Sequence, residues 1–276
     1  MTAPALAPQR RTLLARVLPA GVFAGRPLVL IERSLRVTKS SWIIVLSGFF
    51  EPLFYLLSFG VGIGGLVGEV TGPGGTPISY AAFIAPALLA TSAMNGAIYD
   101  ATNNVFFKLK HLKLYDSMLA TSLGPLDVAL GEMGWALGRG GLYAASFTIV
   151  MLVMGLLTSW WALVLVPACI VIAFAFAAIG MGITTFMKSW QDLDLVNLAI
   201  MPMFLFSGTF FSLDVYPEPV QWIVKSLPLH HGVELLRGLA VGVVNGGMLW
   251  HVAYFAVMSL AGIWLTVRRL DRLLMR

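Results

Sequence analysis

Six long apolar segments constrain the fold of this chain more than any other feature of its sequence. An α-helix needs about 20 mostly apolar residues to cross roughly 30 Å of hydrocarbon. The composition, with 58% hydrophobic and 11% charged residues, also departs from that of an average soluble domain. We therefore predict an all-α integral membrane protein with six transmembrane helices. These spans are predicted at 42–64, 80–98, 134–158, 160–186, 195–213 and 248–267.

The basic residues lie mostly on one side of the turns that these spans imply. If the N-terminus is cytoplasmic, 15 of the 18 Lys and Arg residues fall inside, Lys225 and Arg237 fall outside, and Arg139 lies within the third span. Cytoplasmic loops of membrane proteins carry such an excess. We expect a multi-pass protein of a bacterial cytoplasmic membrane with both termini inside. Anionic lipid headgroups account for the net charge of +5, so no nucleic-acid partner is predicted.

The chain divides into four predicted parts. Residues 1–20 have three arginines but no apolar core of the roughly 7–15 residues that a signal peptide requires, so they are predicted to form a disordered cytosolic arm. Residues 21–41 mix apolar and basic side chains, a pattern typical of an amphipathic helix lying on the cytoplasmic leaflet. Residues 42–268 form the transmembrane domain, and residues 269–276 form a cytosolic tail.

The sequence lacks a recognisable ATPase or catalytic motif. Residues 182–189 (GITTFMKS) imitate a phosphate-binding loop, but Met187 stands where the second glycine must be. Asp192 and Asp194 are interpreted as carboxylates that cap a helix N-terminus, and Cys169 as a small core residue. We predict no catalytic residue, metal or cofactor in this chain, so a separate subunit would have to hold ATP and Mg²⁺.

Ionisable residues within apolar spans are candidates for function, because a charge at the bilayer centre costs about 2.5–3.5 kcal/mol on insertion scales. Glu51, followed by Pro52, lies in the middle of the first span. It is expected either to face a substrate path or subunit seam, or to serve as a structural hydrogen-bonding residue. Glu132 and Arg139, seven residues apart, are expected to pair with each other or with a neighbouring subunit.

Two segments between spans carry most of the remaining information. The inside segment 100–132 alternates apolar and basic residues and predicts a short amphipathic helix, which either binds lipid or docks into a groove of a partner. The outside segment 214–247 is too apolar for a solvent loop and predicts two short re-entrant helices. In the second of these, His230, Glu234 and Arg237 share a face, which is interpreted as a polar surface with a Glu234–Arg237 ion pair.

Four motifs near the C-terminal third carry a family resemblance. They are PMFLFSGTFFSLD at 202–214, YPEP at 216–219, LPLHH at 227–231 and ELLRG at 234–238. Together they resemble the ABC-2 family of ABC transporter permeases. With EPL at 51–53, the chain is most similar to the branch that includes the nodulation-factor (lipooligosaccharide) export permease. The resemblance covers the chain from about Gly21 to its end.

The resemblance implies a six-helix permease half that pairs with a second permease, expected to be an identical copy, with two cytoplasmic ATP-binding subunits. The expected cargo is an amphiphile such as a glycolipid, a lipooligosaccharide or a polysaccharide-lipid; export of drugs or antibiotics is the alternative. The residues expected to couple the permease to the ATPase are Leu112, Tyr115, Asp116, Leu119 and Thr121. Those expected at the substrate path or dimer seam are Glu51, Phe204, Phe206, Phe210 and Phe211. Those expected in an outer cap are Trp222, His230, Glu234 and Arg237.

Two other classes of protein fit the sequence less well. An ion-coupled secondary transporter usually has internal repeats and several ionisable groups near the membrane midplane, whereas Glu51 is the one clear mid-span carboxylate here. A membrane enzyme acting on lipid-linked sugars would need Asp192 and Asp194 to act together with the histidines at 230 and 231. The predicted topology places these two groups on opposite sides of the membrane.

Overall fold

Helices make up nearly all of the computed structural model, which describes residues 27–38, 50, 52–121 and 123–274. Four helices of this described part, α3, α5, α6 and α10, are long and apolar enough to cross a membrane. In chain order the helices are α1 (Pro27–Thr38), α2 (Pro52–Val67), α3 (Tyr80–His111), α4 (Leu114–Leu119), α5 (Pro125–Val153), α6 (Trp160–Thr184), α7 (Asp192–Phe206), α8 (Glu218–Ser226), α9 (Pro228–Val241) and α10 (Gly247–Leu274).

The predicted first and fifth spans correspond to shorter helices. The structure covers the first span only in part, as the 16-residue α2 with π-helical turns over Leu56–Ile63, and the predicted path residue Glu51 lies outside the described residues. The predicted arm at 1–20 also lies outside them. The fifth span is the 15-residue α7. It ends where Gly208 adopts a φ of +79°, a left-handed conformation that favours glycine.

The loop after α2, on the side that the sequence predicts to be outside (the outer side below), is a β-hairpin, which the all-α prediction missed. Strand β1 (Glu69–Thr71) pairs antiparallel with β2 (Pro77–Ser79), and Val70 lies opposite Ile78. Gly74 and Gly75 in the connecting turn have φ angles of +74° and +78°, so these glycines allow the chain to reverse direction.

The first inside segment is also more helical than predicted. Helix α3 continues past Ile98 through two π-helical turns and ends at His111, so residues 100–111 are not a loop. Lys113 then takes a left-handed conformation with a φ of +47°, and the separate helix α4 begins. The third span begins at Pro125, nine residues before the predicted Gly134, because Pro125 and the Asp127 carboxylate, which accepts a hydrogen bond from the Gly124 N–H, start helix α5 there.

Helix α6 lies at the centre of the bundle, with α3, α5 and α10 packed around it. A Cβ atom at Gly262 of α10 would lie 2.5 Å from the backbone carbon of Ala178 in α6, so this close crossing requires glycine. The C-terminal helix α10 continues through the predicted tail to Leu274.

Helix α1 is the described part of the predicted interfacial helix, and it packs on α5. A Cβ atom at Gly131 would lie 2.7 Å from the Leu30 Cβ, and one at Gly134 would lie 2.7 Å from the Ile31 Cδ1. The absence of side chains at these two glycines therefore allows α1 to pack closely on α5. On the other side of α1, Leu28 and Leu35 are exposed.

Candidate functional site

A polar cavity of about 510 Å³ lies between α2, α3, α5 and α7. Its polar lining consists mainly of amides, phenols and hydroxyls, although the surrounding helices are apolar. The carboxamide oxygen of Asn95 is buried and makes no hydrogen bond to the described residues. Polar groups are costly inside a membrane protein and mark functional sites by default. The amide and phenol side chains are those of Asn95, Asn103, Asn197, Tyr55, Tyr99 and Tyr143.

The cation that borders this cavity is neutralised by its partner. Arg139 forms an ion pair with the Asp100 carboxylate, which also accepts a 2.7 Å hydrogen bond from the Asn104 amide. Arg139 and Asp100 are both largely shielded from solvent. The cavity therefore presents neutral hydrogen-bonding groups and a charge that is already paired.

The predicted pairing of Glu132 with Arg139 is wrong. Glu132 accepts a 2.6 Å hydrogen bond from Lys108, and Arg139 pairs with Asp100. Seven helical residues separate Glu132 and Arg139 by about 10 Å along the axis. Each side chain therefore reaches instead to the adjacent end of α3, which the sequence predicts to lie on the cytoplasmic side (the inner end below).

Helix α4 presents one buried and one exposed face at the inner end of the bundle. Within α4, Tyr115 and Met118 are buried, Leu119 is partly buried and Asp116 is exposed. Leu112 and Thr121, which flank the helix, are also exposed. The predicted coupling residue Tyr115 is therefore inaccessible to a docking partner in this conformation. Its burial, and secondarily the nearby Glu132 carboxylate, raise the pKa of its phenol well above the ordinary value. Its hydroxyl makes no hydrogen bond to the described residues.

Stacked aromatic rings connect the inner end of α3 to the turn before α7. His111 stacks on Trp190 with ring centroids 6.2 Å apart, and Phe106 lies edge-on to Trp190 at 5.8 Å. Asp192 stabilises this turn by accepting hydrogen bonds from the backbone N–H groups of Lys188 (2.6 Å) and Ser189 (3.1 Å).

These backbone hydrogen bonds lower the pKa of Asp192. Asp192 and Asp194 lie in the first turn of α7, but Asp192 bonds to the turn before the helix and not to helical N–H groups, so its predicted role as a helix cap is not what the structure shows. The same hydrogen bonds also explain its carboxylate without a metal ion.

Arg237 is the centre of the outer cluster. Its guanidinium donates to the backbone carbonyls of Phe83 (3.2 Å) and Gly208 (2.8 Å), forms a 3.1 Å ion pair with Glu234, and lies 3.7 Å from the centroid of the Phe83 ring. The predicted Glu234–Arg237 pair is thus confirmed. Burial lowers the pKa of Arg237 to about 10, so it remains charged at neutral pH.

Histidines complete this outer cluster. The ring Nδ1 of His230 lies 3.2 Å from the carbonyl oxygen of Ser207. Helix α9 therefore contacts both residues that follow α7, Ser207 through His230 and Gly208 through Arg237. His231 and His251 approach each other with their Nδ1 atoms 2.8 Å apart, and the His231 ring lies 4.1 Å from that of Tyr254. No local sequence pattern predicts this contact, because it joins α9 to α10. Among the described residues, no three His, Cys, Asp or Glu side chains are grouped to hold a metal ion.

The aromatic residues predicted for the path fall into two groups. Phe204 and Phe210 lie edge-on to each other, with ring centroids 5.1 Å apart. Phe204 contacts Tyr55 at 6.1 Å and Phe210 contacts Phe59 at 5.2 Å, and both of these partners are on α2. These contacts therefore join α7 and the segment after it to the first span. The exposed Phe211 helps to line an outer, largely apolar cavity of about 690 Å³.

Phe206 and Trp222 contribute surface rather than packing. Phe206 is about half exposed and contacts Tyr216 at 6.2 Å. Trp222 on α8 is exposed, with the Lys225 ammonium 5.4 Å from its ring. Both positions are typical of rings that anchor a protein at a membrane interface.

Comparisons with known proteins identify the family of this chain. The sequence profile of the ABC-2 type transporter family matches residues 28–241. The chain is 31% identical to nodulation protein J of Rhizobium leguminosarum bv. viciae over 240 residues, which cover 86% of this chain and 90% of that protein. It is 32% identical to nodulation protein J of R. leguminosarum bv. trifolii over 228 residues, covering 82% and 85% of the two chains.

A more distant relative is aligned over nearly its full length. Nodulation protein J of Bradyrhizobium diazoefficiens is 26% identical over 265 residues, which cover 95% of this chain and 98% of that protein. The family match extends from the interfacial helix α1 to the end of α9, and so includes the polar cavity, helix α4 and the Arg237 cluster. The chain belongs to the ABC-2 type transporter family of membrane permeases.

Proposed function

We propose that this chain is the transmembrane permease subunit of an ATP-driven exporter that moves an amphiphile out across the cytoplasmic membrane. The cargo class is a glycolipid, a lipooligosaccharide or a polysaccharide-lipid. The permease crosses the membrane six times in this proposal, with α2 and α7 as the first and fifth spans. Both termini lie in the cytoplasm, on the side of most basic residues. Two copies of the permease assemble with two cytoplasmic ATP-binding subunits, which hold ATP and Mg²⁺.

The observation that supports this proposal best is the placement of the polar cavity. It lies between helices of the bundle, near the inner end, and α4 lies at that same end. A conformational change in an ATPase reaches the membrane only through contacts that differ between two states. A short helix that is anchored on one side and exposed on the other meets this requirement.

We assign different roles to the predicted coupling residues. Leu112, Asp116 and Thr121 provide the exposed surface that contacts the ATP-binding subunit. Tyr115 anchors the helix from its buried side, and the partly buried Leu119 lies at the boundary between the two faces. A docking force on α4 is thereby transmitted to α5 and α10, which α4 contacts.

The outer residues form the cap of the path. Arg237 and His230 fix the chain after α7, while Trp222 and Phe211 lie exposed where cargo would leave the protein. We assign α8 and α9 to re-entrant helices of the outer leaflet. The apolar outer cavity would receive the lipid part of the cargo.

The experiment is reconstitution with an ABC-type ATP-binding subunit in proteoliposomes. We expect the two proteins to co-purify, ATP hydrolysis to rise with a glycolipid cargo, and a labelled glycolipid to cross the bilayer only with ATP. ATP-dependent movement of hydrophobic dyes without any response to glycolipids would favour the multidrug alternative. Uptake driven by an ion gradient in the absence of the ATPase would contradict the proposal.

A further inference from the structure

The polar cavity has a chemistry that discriminates between classes of cargo. Its volume of about 510 Å³ lies within the range of roughly 300–1,000 Å³ that is usual for ligand sites. Among its described lining residues, Arg139 is the single charged side chain, and Asp100 neutralises it. An anionic or cationic ligand would therefore lose its hydration there without finding an unpaired opposite charge.

The amide groups supply the hydrogen bonds that a neutral ligand requires. An asparagine side chain offers two donors and an acceptor, and three asparagines from two helices, α3 and α7, converge on this cavity. Thr91 and Thr102 donate their hydroxyls to backbone carbonyls of α3, at 2.9 and 2.7 Å. The asparagines and phenols are thus the principal groups left for recognition.

Asn95 is the specific indication that a ligand belongs here. Its buried carboxamide oxygen is an acceptor without a partner among the described residues. Leaving such a group unpaired is unfavourable. Because the oxygen is shielded from solvent, it pairs with a ligand hydroxyl or amide N–H once the Asn95 side chain turns its oxygen into the cavity that it lines. Asn95 lies on α3, one turn before Tyr99, which is exposed at the cavity.

We propose that this cavity binds the uncharged, polyhydroxylated head group of the cargo at the level of the inner leaflet, with Asn95 as a recognition residue. This inference rests on the proposed function and narrows it. The permease would select neutral sugar head groups over phosphate-bearing ones before transport begins. The aliphatic part of the ligand would remain among the apolar side chains of the bundle, such as Leu88 and Ile200.

The test is ligand protection of a cysteine introduced at position 92, where Ser92 lines the cavity three residues before Asn95. The full-length chain carries Cys169→Ala and Ser92→Cys, keeps Asn95, and is held in lipid nanodiscs. Its labelling by a small thiol reagent is timed with dodecyl maltoside, dodecyl phosphate or dodecyltrimethylammonium, three amphiphiles with the same alkyl chain. Asn245→Cys, in the exposed loop before α10, is the matched control for reagent access and for general detergent effects.

We expect dodecyl maltoside at ten times its Kd to slow labelling at position 92 about tenfold. The two charged amphiphiles should have little effect there, and none of the three should change labelling at position 245. Equal protection by all three amphiphiles, preferential protection by the phosphate, or no protection would overturn the inference. If the cysteine variant does not fold, the wild-type chain gives the same answer. Its melting temperature should rise with the maltoside more than with the phosphate, and Asn95→Leu should remove that difference.

Failure of this test is distinguishable from failure of the proposed function. The labelling uses the permease alone, whereas the proposed function depends on association with an ATP-binding subunit. A permease that stimulates ATP hydrolysis but shows no preference for the maltoside would refute the head-group site and leave the exporter proposal in place. A permease that binds the maltoside but no ATP-binding subunit would refute the exporter proposal and leave the head-group site in place.

Discussion

The guanidinium of Arg237 donates a 2.8 Å hydrogen bond to the backbone carbonyl of Gly208, 29 residues earlier in the chain. This contact joins α9 to the chain just after α7, and it connects two of the four motifs that carry the family resemblance, those at 202–214 and 234–238. The same guanidinium also bonds to the Phe83 carbonyl on α3. One buried side chain therefore holds three elements of the outer half together.

Arg237→Met should destabilise the protein. The change leaves the carbonyls of Phe83 and Gly208 and the Glu234 carboxylate without their donor, at a cost of about 3 kcal/mol. A thermal unfolding measurement in detergent should show a melting temperature lower by several degrees. Lys225→Met, at an exposed position on α8, is the matched control and should change it little. Equal melting temperatures for the two variants would show that the Arg237 contacts do not stabilise the fold.

The histidines of α9 should make stability depend on pH. Burial first, and His251 and His230 next, lower the pKa of His231 to about 4, below the usual value of about 6.5 for an unfolded chain. Between these values the unfolded state binds more protons, so stability should decrease as pH falls from about 6.5 towards 4. Protonation of these rings at low pH then breaks the contact between the neutral His231 and His251.

A series of melting temperatures from pH 7 to pH 5 measures this dependence. His231→Gln should reduce the slope but not remove it, because burial also lowers the pKa of His230. His111→Gln, at an exposed position at the opposite end of the bundle, should leave the slope unchanged. A slope that is the same in His231→Gln and the wild type would contradict the assignment.

Tyr115→Phe should preserve both stability and docking. The Tyr115 hydroxyl is buried without a hydrogen bond to the described residues, so its removal costs little and relieves an unsatisfied group. Tyr115→Glu should instead disrupt the seating of α4, because it places a second carboxylate near Glu132. Melting temperatures of the two variants test this. A large loss in Tyr115→Phe would show that the hydroxyl has a role in the described conformation.

Asp100→Asn should change the preference of the polar cavity. The substitution leaves the Arg139 charge without its carboxylate partner, so an anionic head group would gain an unpaired cation. Binding measurements in nanodiscs should show tighter binding of dodecyl phosphate relative to dodecyl maltoside than in the wild type. An unchanged ratio would mean that the Arg139–Asp100 pair does not set the charge preference of the site.

Features that depend on local pattern were predictable from the sequence. Four of the six predicted apolar spans match long helices, because hydropathy reports burial in lipid. The Glu234–Arg237 pair was predictable because residues three apart share a helix face. The extension of helix α3 through 100–111 was not predictable in this way. Hydropathy marks where the apolar stretch ends, whereas the helix itself continues into polar surroundings.

Contacts between distant segments were beyond such reasoning. The pairs Lys108–Glu132, Arg139–Asp100 and His231–His251 each join two helices whose packing no sequence period encodes. The burial of Tyr115 was missed because the alternation around it showed an amphipathic helix but not which face meets α5. The neutral character of the cavity likewise required knowing that Asp100 lies beside Arg139.

The most direct measurement of the docking role of α4 is the amount of ATP-binding subunit that co-purifies with permeases altered at exposed residues in and beside this helix. The variant combines Leu112→Asp, just before α4, with Asp116→Lys within it, and Lys225→Ala on the outer side is the control. We expect normal insertion and melting temperature, with recovery of the ATP-binding subunit reduced about tenfold, equivalent to about 1.4 kcal/mol, and a matching loss of cargo-stimulated ATP hydrolysis. Wild-type recovery and hydrolysis in that variant would contradict the assignment of α4 as the docking element.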